Sequence, residues 1–237
     1  DIIFTSENGL KNIQKATSKF KNKIKIFIFE KIKIEAPAEP TADLIQDDLE
    51  KTALIIYTSG TTGSPKGVML SFKNLFHNIN AVASVGIYDE NQCFLVLLPI
   101  HHILPLLGSV IGPLAVQAKI AISPSMMTDD IIKTLADNRV SIMIGVPRLY
   151  EVIRKGIMDR INSSAIARLL FRFAGMVNSK KFSRKLFRQV HNKFGGAVKY
   201  MVCGGAALDP KVERDFATLG FLILDGYGMT EAAPMIT

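Results

Sequence analysis

The stretch Tyr57-Thr-Ser-Gly-Thr-Thr-Gly-Ser-Pro-Lys-Gly67 combines three glycines, several hydroxyl side chains and one lysine within eleven residues. The apolar run 54–57 before it predicts a buried strand, and the run 68–70 resumes that pattern after it. Glycine lets backbone N–H groups turn toward an anion, the hydroxyl groups add further donors, and Lys66 adds a full positive charge. The stretch therefore predicts a loop that binds phosphate.

Two other interpretations of this stretch are less satisfactory. A flexible Gly/Ser hairpin is what such a composition usually indicates, but a linker has no need of this residue order. A Walker A loop requires Gly-x-x-x-x-Gly-Lys-Ser/Thr, whereas Pro65 precedes Lys66 and Gly67 follows it here. An ordinary P-loop nucleoside triphosphatase is therefore excluded.

The stretch 57–67 resembles the signature phosphate loop of the adenylate-forming superfamily, which includes acyl-CoA synthetases, luciferases and the adenylation domains of peptide synthetases. Three further motifs follow in the order that this family shows: Leu98-Pro-Ile-His-His102, Cys203-Gly-Gly-Ala-Ala-Leu208 and Gly226-Tyr-Gly-Met-Thr-Glu231. Together the four motifs cover the chain from about residue 50 to its end, and their joint occurrence is far more specific than any single match.

The resemblance implies a set of ATP-binding residues. In the phosphate loop the residues that would hold the β- and γ-phosphates are Thr58, Ser59, Gly60, Thr61, Thr62, Gly63 and Lys66. Glycines after a strand let an aromatic ring lie against the backbone, and the matching positions for adenine are Gly204, Gly205 and Ala206. Taken alone, Gly-Gly-Ala is more often a tight turn. In the last motif the nucleotide-binding positions are Asp225, Gly226, Tyr227, Gly228 and Thr230, with Tyr227 stacked on adenine and Thr230 against the α-phosphate.

The resemblance also implies catalytic and metal-binding residues. Glu231 and Thr58 would hold Mg²⁺ through oxygen atoms, although an acidic residue in a loop is the simpler interpretation of Glu231 taken alone. His102 matches the histidine of the family at the mouth of an apolar tunnel, whereas His101 stands where an aromatic residue is common. A histidine pair beside a strand is more often structural, and the motif reverses that expectation for His102 alone. The predicted catalytic residues are Lys66, His102, Thr230 and Glu231.

Composition and charge restrict the class of protein. With 237 residues, of which 48% are hydrophobic and 21% charged, the chain can bury a sizeable core. Its net charge of +8 is concentrated in one segment: residues 148–199 hold thirteen Lys or Arg and two acidic residues, a surplus of eleven, so the remainder carries −3. This distribution does not indicate a nucleic-acid-binding protein.

Membrane contact is expected to be peripheral at most. The apolar region 94–116 is interrupted by prolines, glycines and histidines, so no transmembrane segment is expected. The basic stretch 154–193 either lies on an anionic membrane at its inner face or is a solvated helical surface. The chain starts at Asp1 without a secretory signal, and Cys93 and Cys203 have no metal or redox spacing, which favours the cytoplasm.

The fold class predicted is α/β, with mostly parallel sheets flanked by helices, as in part of the large N-terminal domain of adenylate-forming enzymes. Residues 1–42 are expected to be the end of a preceding βαβ unit and a connection, and residues 43–237 the ATP- and acyl-binding core. Ser71 is a predicted helix N-cap and Thr128 another. The apolar positions of 166–173 are expected to share one helical face, and those of 182–194 another; the positions are Ile166, Leu169, Leu170 and Phe173, and Phe182, Leu186, Val190 and Phe194. The family's C-terminal lid domain is absent, so the 237-residue chain is expected to lack ligase activity by itself.

The activity implied by the resemblance is ATP-dependent activation of a fatty acid to acyl-AMP with release of pyrophosphate, followed by thioester formation with CoA. The segment Gly145-Val-Pro-Arg-Leu-Tyr-Glu151 resembles long-chain fatty acyl-CoA synthetases in particular. The cofactors and substrates implied are ATP, Mg²⁺, CoA and a fatty acid. Two alternatives stay open: acyl transfer to a carrier protein, and a nucleotide-binding homologue without catalysis.

Overall fold

The computed structural model of the chain describes residues 2–20, 24–32, 48–58 and 65–236. It divides into two compact units, Asp1–Asp47 and Asp48–Thr237. The boundary predicted between residues 42 and 43 lies outside the described residues. In the first unit, strand β1 (Ile2–Thr5) and strand β2 (Lys25–Ile28) pair in parallel, and helix α1 (Leu10–Thr17) lies between these two strands in the sequence.

The second unit begins with an antiparallel hairpin of strands β3 (Thr52–Thr58) and β4 (Lys66–Ser71). The strand predicted at 54–57 is confirmed as part of β3, but its predicted burial was wrong, because only Ile56 of these residues is buried and Tyr57 is 74% exposed. A two-stranded hairpin has a single packed face, so alternate side chains remain in solvent. An apolar run cannot distinguish this arrangement from a strand that is covered on both sides.

The main sheet of the second unit has five parallel strands in the order β6-β5-β7-β8-β9. This confirms the predicted α/β class. The strands are β5 (Cys93–Val96), β6 (Lys119–Ile122), β7 (Ile142–Gly145), β8 (Tyr200–Gly204) and β9 (Ile223–Gly226). Because the strands are parallel, their carboxyl ends meet at one edge of the sheet, where ligands of open α/β folds bind.

Helices connect and cover these strands. After β5 and the turn that ends at His102, the chain is helical from residue 103 to residue 115, as α3 (Ile103–Leu106), a π-helical turn (Leu107–Ile111) and α4 (Gly112–Ala115). The other helices of this unit are α2 (Phe72–Ser84), α5 (Thr128–Asp137), α6 (Pro147–Asn162), α7 (Ala165–Val177), α8 (Lys180–Leu186), α9 (Arg188–Lys193) and α10 (Pro210–Thr218). Among the described residues, no helix combines the length and the hydropathy needed to cross a bilayer.

Of the three helix predictions made above for Ser71, Thr128 and residues 182–194, the first is confirmed and the other two differ from the structure. Ser71 caps α2 through a reciprocal pair of hydrogen bonds with Asn74, as its position predicts. Thr128 is the first helical residue of α5 and Met127 occupies the N-cap, so the cap prediction was wrong by one residue. The residues 182–194 form two helices, because the backbone leaves helical geometry at Phe187.

The two faces of the parallel sheet pack against different groups of residues. On one face, Leu95, Met143 and Met201 join the main core beneath α5, α6 and α10. On the opposite face, Phe94 and Ile144 pack with other apolar residues around Tyr88. Side chains alternate between the two faces along each strand. One face of the sheet is therefore fully packed, and the other borders a cavity.

Candidate active site

A cavity of about 1100 Å³ lies at the carboxyl edge of the parallel sheet. Its lining includes nine residues predicted from the sequence: Thr58, His102, Gly204, Gly205, Asp225, Gly226, Tyr227, Gly228 and Thr230. These positions are spread over almost the whole second unit, and the fold brings them together at one opening. The predicted Lys66, Ala206 and Glu231 are exposed and lie outside the lining.

The phosphate loop joins the two strands of the hairpin. Thr58 and Lys66 are direct partners in the register of β3 and β4, so they stand at the two ends of the segment that connects these strands. The predicted loop residues Ser59, Gly60, Thr61, Thr62 and Gly63 lie outside the described residues. The hairpin therefore brings a hydroxyl group and an ammonium group to the two ends of that loop.

His102 occupies the N-cap position of α3, directly after the turn that follows β5. Its side chain is exposed and borders the cavity, and its ring centroid is 4.2 Å from that of His101. His101 is not part of the lining. The difference between the two histidines in placement agrees with the distinction that their positions in the motif suggested.

The two glycines that end β8 are required by geometry. A Cβ atom on Gly204 would stand 2.9 Å from Cδ2 of Leu104, so a side chain at this position needs Leu104 to move. Gly205 has a φ of +86°, which side-chain-bearing residues rarely adopt. Because neither glycine has a side chain, only backbone atoms line the cavity at these two positions.

The segment after β9 folds back on itself. Gly228 pairs with Met235, the Met229 N–H donates to the Pro234 carbonyl at 2.9 Å, and a Cβ on Gly228 would stand 1.9 Å from that same oxygen. This close approach explains the glycine. It also presents Tyr227, 62% exposed, at the rim of the cavity.

Asn78 anchors this folded segment, and sequence reasoning missed it. Its side-chain amide donates a 2.7 Å hydrogen bond to the Met235 carbonyl, which links α2 to the returning chain. The Asn78 side chain is buried. A buried polar residue on the apolar face of a predicted helix was the signal that could have identified it.

The opposite end of the cavity is apolar. Its lining there comprises Val82, Val85, Ile87, Tyr88, Ile103, Leu104, Ile144 and Val202. The buried Tyr88 hydroxyl donates a 2.6 Å hydrogen bond to the Gly108 carbonyl in the π-helical turn, and burial raises the pKa of Tyr88 well above its usual value. No sequence pattern singled out Tyr88 or Gly108.

Cys203, the penultimate residue of β8, also lines the cavity and is fully buried. Burial is the main cause that raises its pKa to about 12, and the nearby Asp225 carboxylate acts in the same direction. A thiol with this pKa stays protonated at neutral pH and is a poor nucleophile. The cavity therefore combines polar and apolar residues in one lining, and Cys203 is not activated as a nucleophile.

Comparison with known proteins identifies relatives along nearly the whole chain. The sequence profile of the family described as AMP-binding enzyme matches residues 2–237. Long-chain-fatty-acid–CoA ligase 1 of Schizosaccharomyces pombe is 33% identical, over 97% of this chain and 36% of its own length. Long chain acyl-CoA synthetase 7, a peroxisomal protein of Arabidopsis thaliana, is 32% identical over 79% of this chain and 28% of its own length.

Solved structures show the same fold. MatB from Rhodopseudomonas palustris superimposes with a TM-score of 0.69 in its apo form, at 20% identity, over 100% of this chain and 41% of that protein. The ATP-bound form of the same protein gives 0.69 at 22% identity, over 98% of this chain and 41% of that protein. The chain spans about a third of the length of the curated relatives it matches.

Proposed function

This chain belongs to the AMP-binding enzyme family, and on that premise we propose that it forms the nucleotide- and acyl-binding part of a long-chain fatty acid–CoA ligase. The observation that supports this most is the single cavity at the carboxyl edge of the sheet. It joins the polar rim predicted to bind ATP to an apolar interior. An acyl-adenylate has these two chemical halves within one molecule.

The polar rim suits a nucleotide. Gly204 and Gly205 leave backbone on which a flat base can rest, and Tyr227 at the rim offers an aromatic face. Lys66 and Thr58 flank the phosphate loop from adjacent strands. We assign the adenine to the ends of β8 and β9, and the phosphates to the hairpin.

The apolar interior suits an acyl chain. Eight apolar or aromatic side chains line it, and a volume of about 1100 Å³ for the whole cavity is large for a nucleotide alone. Two relatives that cover most of this chain are named as long-chain acyl ligases. We place the carboxylate near His102, between the apolar interior and the phosphates.

The reaction proceeds in two displacements. A carboxylate oxygen of the fatty acid attacks the α-phosphorus of ATP, the new P–O bond forms, and pyrophosphate leaves with the electron pair of the broken bond. The sulfur of CoA then attacks the acyl carbon, its proton passes to solvent, and AMP leaves. The first step brings two anions together, so we assign charge neutralisation to Lys66 and hydrogen bonding at the α-phosphate to Thr230.

The metal expected with ATP is Mg²⁺, which takes hard oxygen ligands. Glu231 is an exposed carboxylate next to Thr230, and no group of three or more metal-binding side chains occurs in the part of the chain that the structure describes. This donor set fits an ion held jointly by one or two protein oxygens and the phosphates of the nucleotide. Mg²⁺ would neutralise charge on the phosphate oxygens when bound.

The experiment is a pyrophosphate-release assay on the protein produced from the complete natural reading frame, with acids from acetate to oleate, with and without CoA. Preference for long acids with AMP formation that depends on CoA is the expected result. Adenylate formation without CoA turnover would indicate a carrier protein as the acceptor. ATP binding without pyrophosphate release from any acid would contradict the proposal and leave a nucleotide-binding protein.

A matched pair of lysine variants tests the assignment of the phosphate loop. Lys66→Met removes the charge beside the loop and should lower the rate by about 100-fold or more. Lys119→Met removes an exposed lysine from the start of β6 and should leave the rate within about twofold of wild type, because surface charges far from a site act weakly. Equal effects of the two substitutions would contradict the assignment.

A further inference from the structure

Helix α7 carries two apolar stripes. Ala167, Phe171 and Ala174 form the first, at helical spacing, and they pack toward the main core. The second lies largely in solvent and has the same i, i+3, i+4, i+7 spacing: Ile166, Leu169, Leu170, Phe173, Met176 and Val177. Three of its residues are at least two-thirds exposed, at 72% for Ile166, 68% for Leu169 and 76% for Met176.

The exposed stripe continues onto the next helix. The Phe182 ring of α8 meets the Phe173 ring edge to face, with centroids 5.8 Å apart, and Phe182 itself is 36% exposed. The two helices thus share one continuous apolar surface, which we name the α7–α8 patch: the six exposed residues of α7 together with Phe182. Contiguous exposed apolar surface of this kind marks a binding site more often than scattered single residues do.

The stretch of sequence that carries this patch is rich in cations and has no acidic residue. Between residues 165 and 188 the sequence holds seven Lys or Arg, and it contains no Asp or Glu anywhere from 160 to 208. The seven are Arg168, Arg172, Lys180, Lys181, Arg184, Lys185 and Arg188. Within the described residues none of them forms a salt bridge, since the four ion pairs found there involve other cations. Arg184 is half-buried and donates hydrogen bonds to two backbone carbonyls, and the exposed Arg168 donates one to the Asn162 carbonyl.

We propose that the α7–α8 patch docks this protein on the surface of an anionic lipid bilayer. A helix with exposed Leu, Ile and Phe on one side and Arg or Lys beside them can lie in the headgroup region, with its apolar residues among the acyl chains. The cations then meet anionic headgroups, and no carboxylate in the segment opposes them. Binding of this kind is peripheral and reversible.

The chemistry favours a bilayer over a nucleic acid. Phosphate backbones are bound through cations and polar groups, and a row of six exposed apolar side chains adds nothing to such contacts. A bilayer uses both the apolar side chains and the surplus of positive charge. Both features occur together on α7 and α8, while the chain outside residues 148–199 has a net charge of −3.

The docking surface is separate from the cavity. Helix α7 packs toward the core on the sheet face that carries Leu95, Met143 and Met201. The apolar lining of the cavity uses Ile144 and Val202, which belong to the opposite face. Membrane binding and ligase activity are therefore separable, and the docking proposal does not rest on the proposed function.

The first test measures co-sedimentation of the complete protein with phosphatidylcholine vesicles, with and without phosphatidylglycerol, in the absence of nucleotide and fatty acid. The wild type should bind the anionic vesicles. The triple variant Leu169→Gln, Phe173→Gln, Met176→Gln should reduce binding at least about tenfold. The control variant Leu114→Gln, Ile122→Gln replaces exposed apolar residues elsewhere, at 61% and 73% exposure, and should bind as the wild type does.

The charge contribution is tested with Arg172→Gln, Lys181→Gln and Lys185→Gln. Each substitution should lower the partition coefficient on anionic vesicles by about fivefold, and added salt should reduce the difference. Binding that is unchanged by the apolar triple variant, or absent from both kinds of vesicle, would overturn the proposal. Binding to duplex DNA in the absence of vesicle binding would do the same and would assign the charges to a nucleic acid.

A labelling experiment asks whether the patch itself enters the lipid. Leu169→Cys provides a site for an environment-sensitive fluorescent probe, because the native Cys93 and Cys203 are buried. Emission should shift to the blue when anionic vesicles are added, whereas the same probe at Leu114→Cys should not shift. Failure of the probe to attach at position 169 in the folded complete protein would show that another segment covers the patch, which would contradict the proposal.

Discussion

The hydroxyl group of Tyr88 donates a 2.6 Å hydrogen bond to the carbonyl oxygen of Gly108, and this bond joins the segment between α2 and β5 to the π-helical turn at the apolar end of the cavity. The Tyr88 ring packs against Phe94, with centroids 4.6 Å apart. A π-helical turn is rare and frequently occurs at functional sites. Here the turn places Gly108 and Gly112 against Tyr88 and Ile144.

Tyr88→Phe should lower the free energy of unfolding by about 1–2 kcal/mol, because the buried Gly108 carbonyl loses its hydrogen-bond donor. Chemical denaturation measures this. Tyr200→Phe is the matched control, since the Tyr200 hydroxyl makes no hydrogen bond within the described residues, and it should change stability by less than about 0.5 kcal/mol. Equal losses in both variants would contradict a specific role for the Tyr88 bond.

Gly112→Ala should destabilise the protein by about 1–3 kcal/mol, because the new Cβ would stand 2.8 Å from Cε1 of the buried Tyr88 ring and 2.9 Å from the Leu107 carbonyl oxygen. Gly156→Ala in α6 is the control. A Cβ at position 156 meets no atom within 4 Å, and alanine is the better helix former, so stability should rise by about 0.5–1 kcal/mol. Thermal unfolding of the two variants in opposite directions is the expected result.

Arg154→Met should lower the free energy of unfolding by about 2–4 kcal/mol. Arg154 binds the Asp215 carboxylate through Nε at 2.6 Å and Nη2 at 2.5 Å, and this largely buried pair links α6 to α10. Its loss leaves the carboxylate of Asp215 without a partner. Arg148→Met breaks the exposed pair with Glu151 and should cost less than about 0.5 kcal/mol. A large loss for Arg148→Met would show that surface charge, and not burial, decides the effect.

Stability should fall as the pH decreases below about 6.5, the ordinary pKa of histidine, through the protonation of His191. Burial is the main cause that lowers the pKa of His191, and the neighbouring Arg184 and Lys180 act in the same direction, against the hydrogen bond to the Leu219 carbonyl. The neutral ring is therefore favoured in the folded protein. The unfolded chain takes up the proton first, so folding weakens toward acidic pH.

The measurement compares urea unfolding at pH 7.5 and pH 5.5 for the wild type, His191→Asn and His77→Gln. His191→Asn should be less stable at pH 7.5 and should show a smaller loss on acidification. His77 is exposed, so its substitution should leave the wild-type pH dependence in place. A pH dependence that persists unchanged in His191→Asn would contradict this prediction.

The positions of the parallel strands along the chain and the positions of the four motifs could be predicted from the sequence, whereas the order of the strands in the sheet was not predicted. Apolar runs such as 94–98 and 141–144 locate the parallel strands, and the turn residues after them locate the cavity edge. The predicted His102, Gly204 and Tyr227 meet at one cavity because parallel strands end at one edge, and Thr58 reaches the same cavity from the antiparallel hairpin. The local sequence was therefore sufficient to predict where the strands and the four motifs lie along the chain.

Features that depend on packing between distant elements could not be predicted. The hydrogen bond from Asn78 to Met235 joins residues 157 positions apart, and the π-helical turn depends on contacts with Tyr88. Periodicity identified the apolar stripe on α7 but not its exposure to solvent. The spacing of the apolar residues is the same in a helix face that is buried and in one that is exposed. Tertiary contacts decide which of the two occurs.

The central claim is that one cavity holds both the adenylate and a long acyl chain. Its most direct test is the affinity of the complete protein for non-hydrolysable acyl-adenylate analogues, in which a sulfamoyl group replaces the phosphate. Calorimetry would compare the palmitoyl analogue, the acetyl analogue and adenosine sulfamate. The palmitoyl analogue should bind at least about 100-fold more tightly than the acetyl analogue, because each buried methylene contributes about 0.8 kcal/mol. Equal Kd values for all three would contradict the claim, since the apolar interior would then take no part in binding.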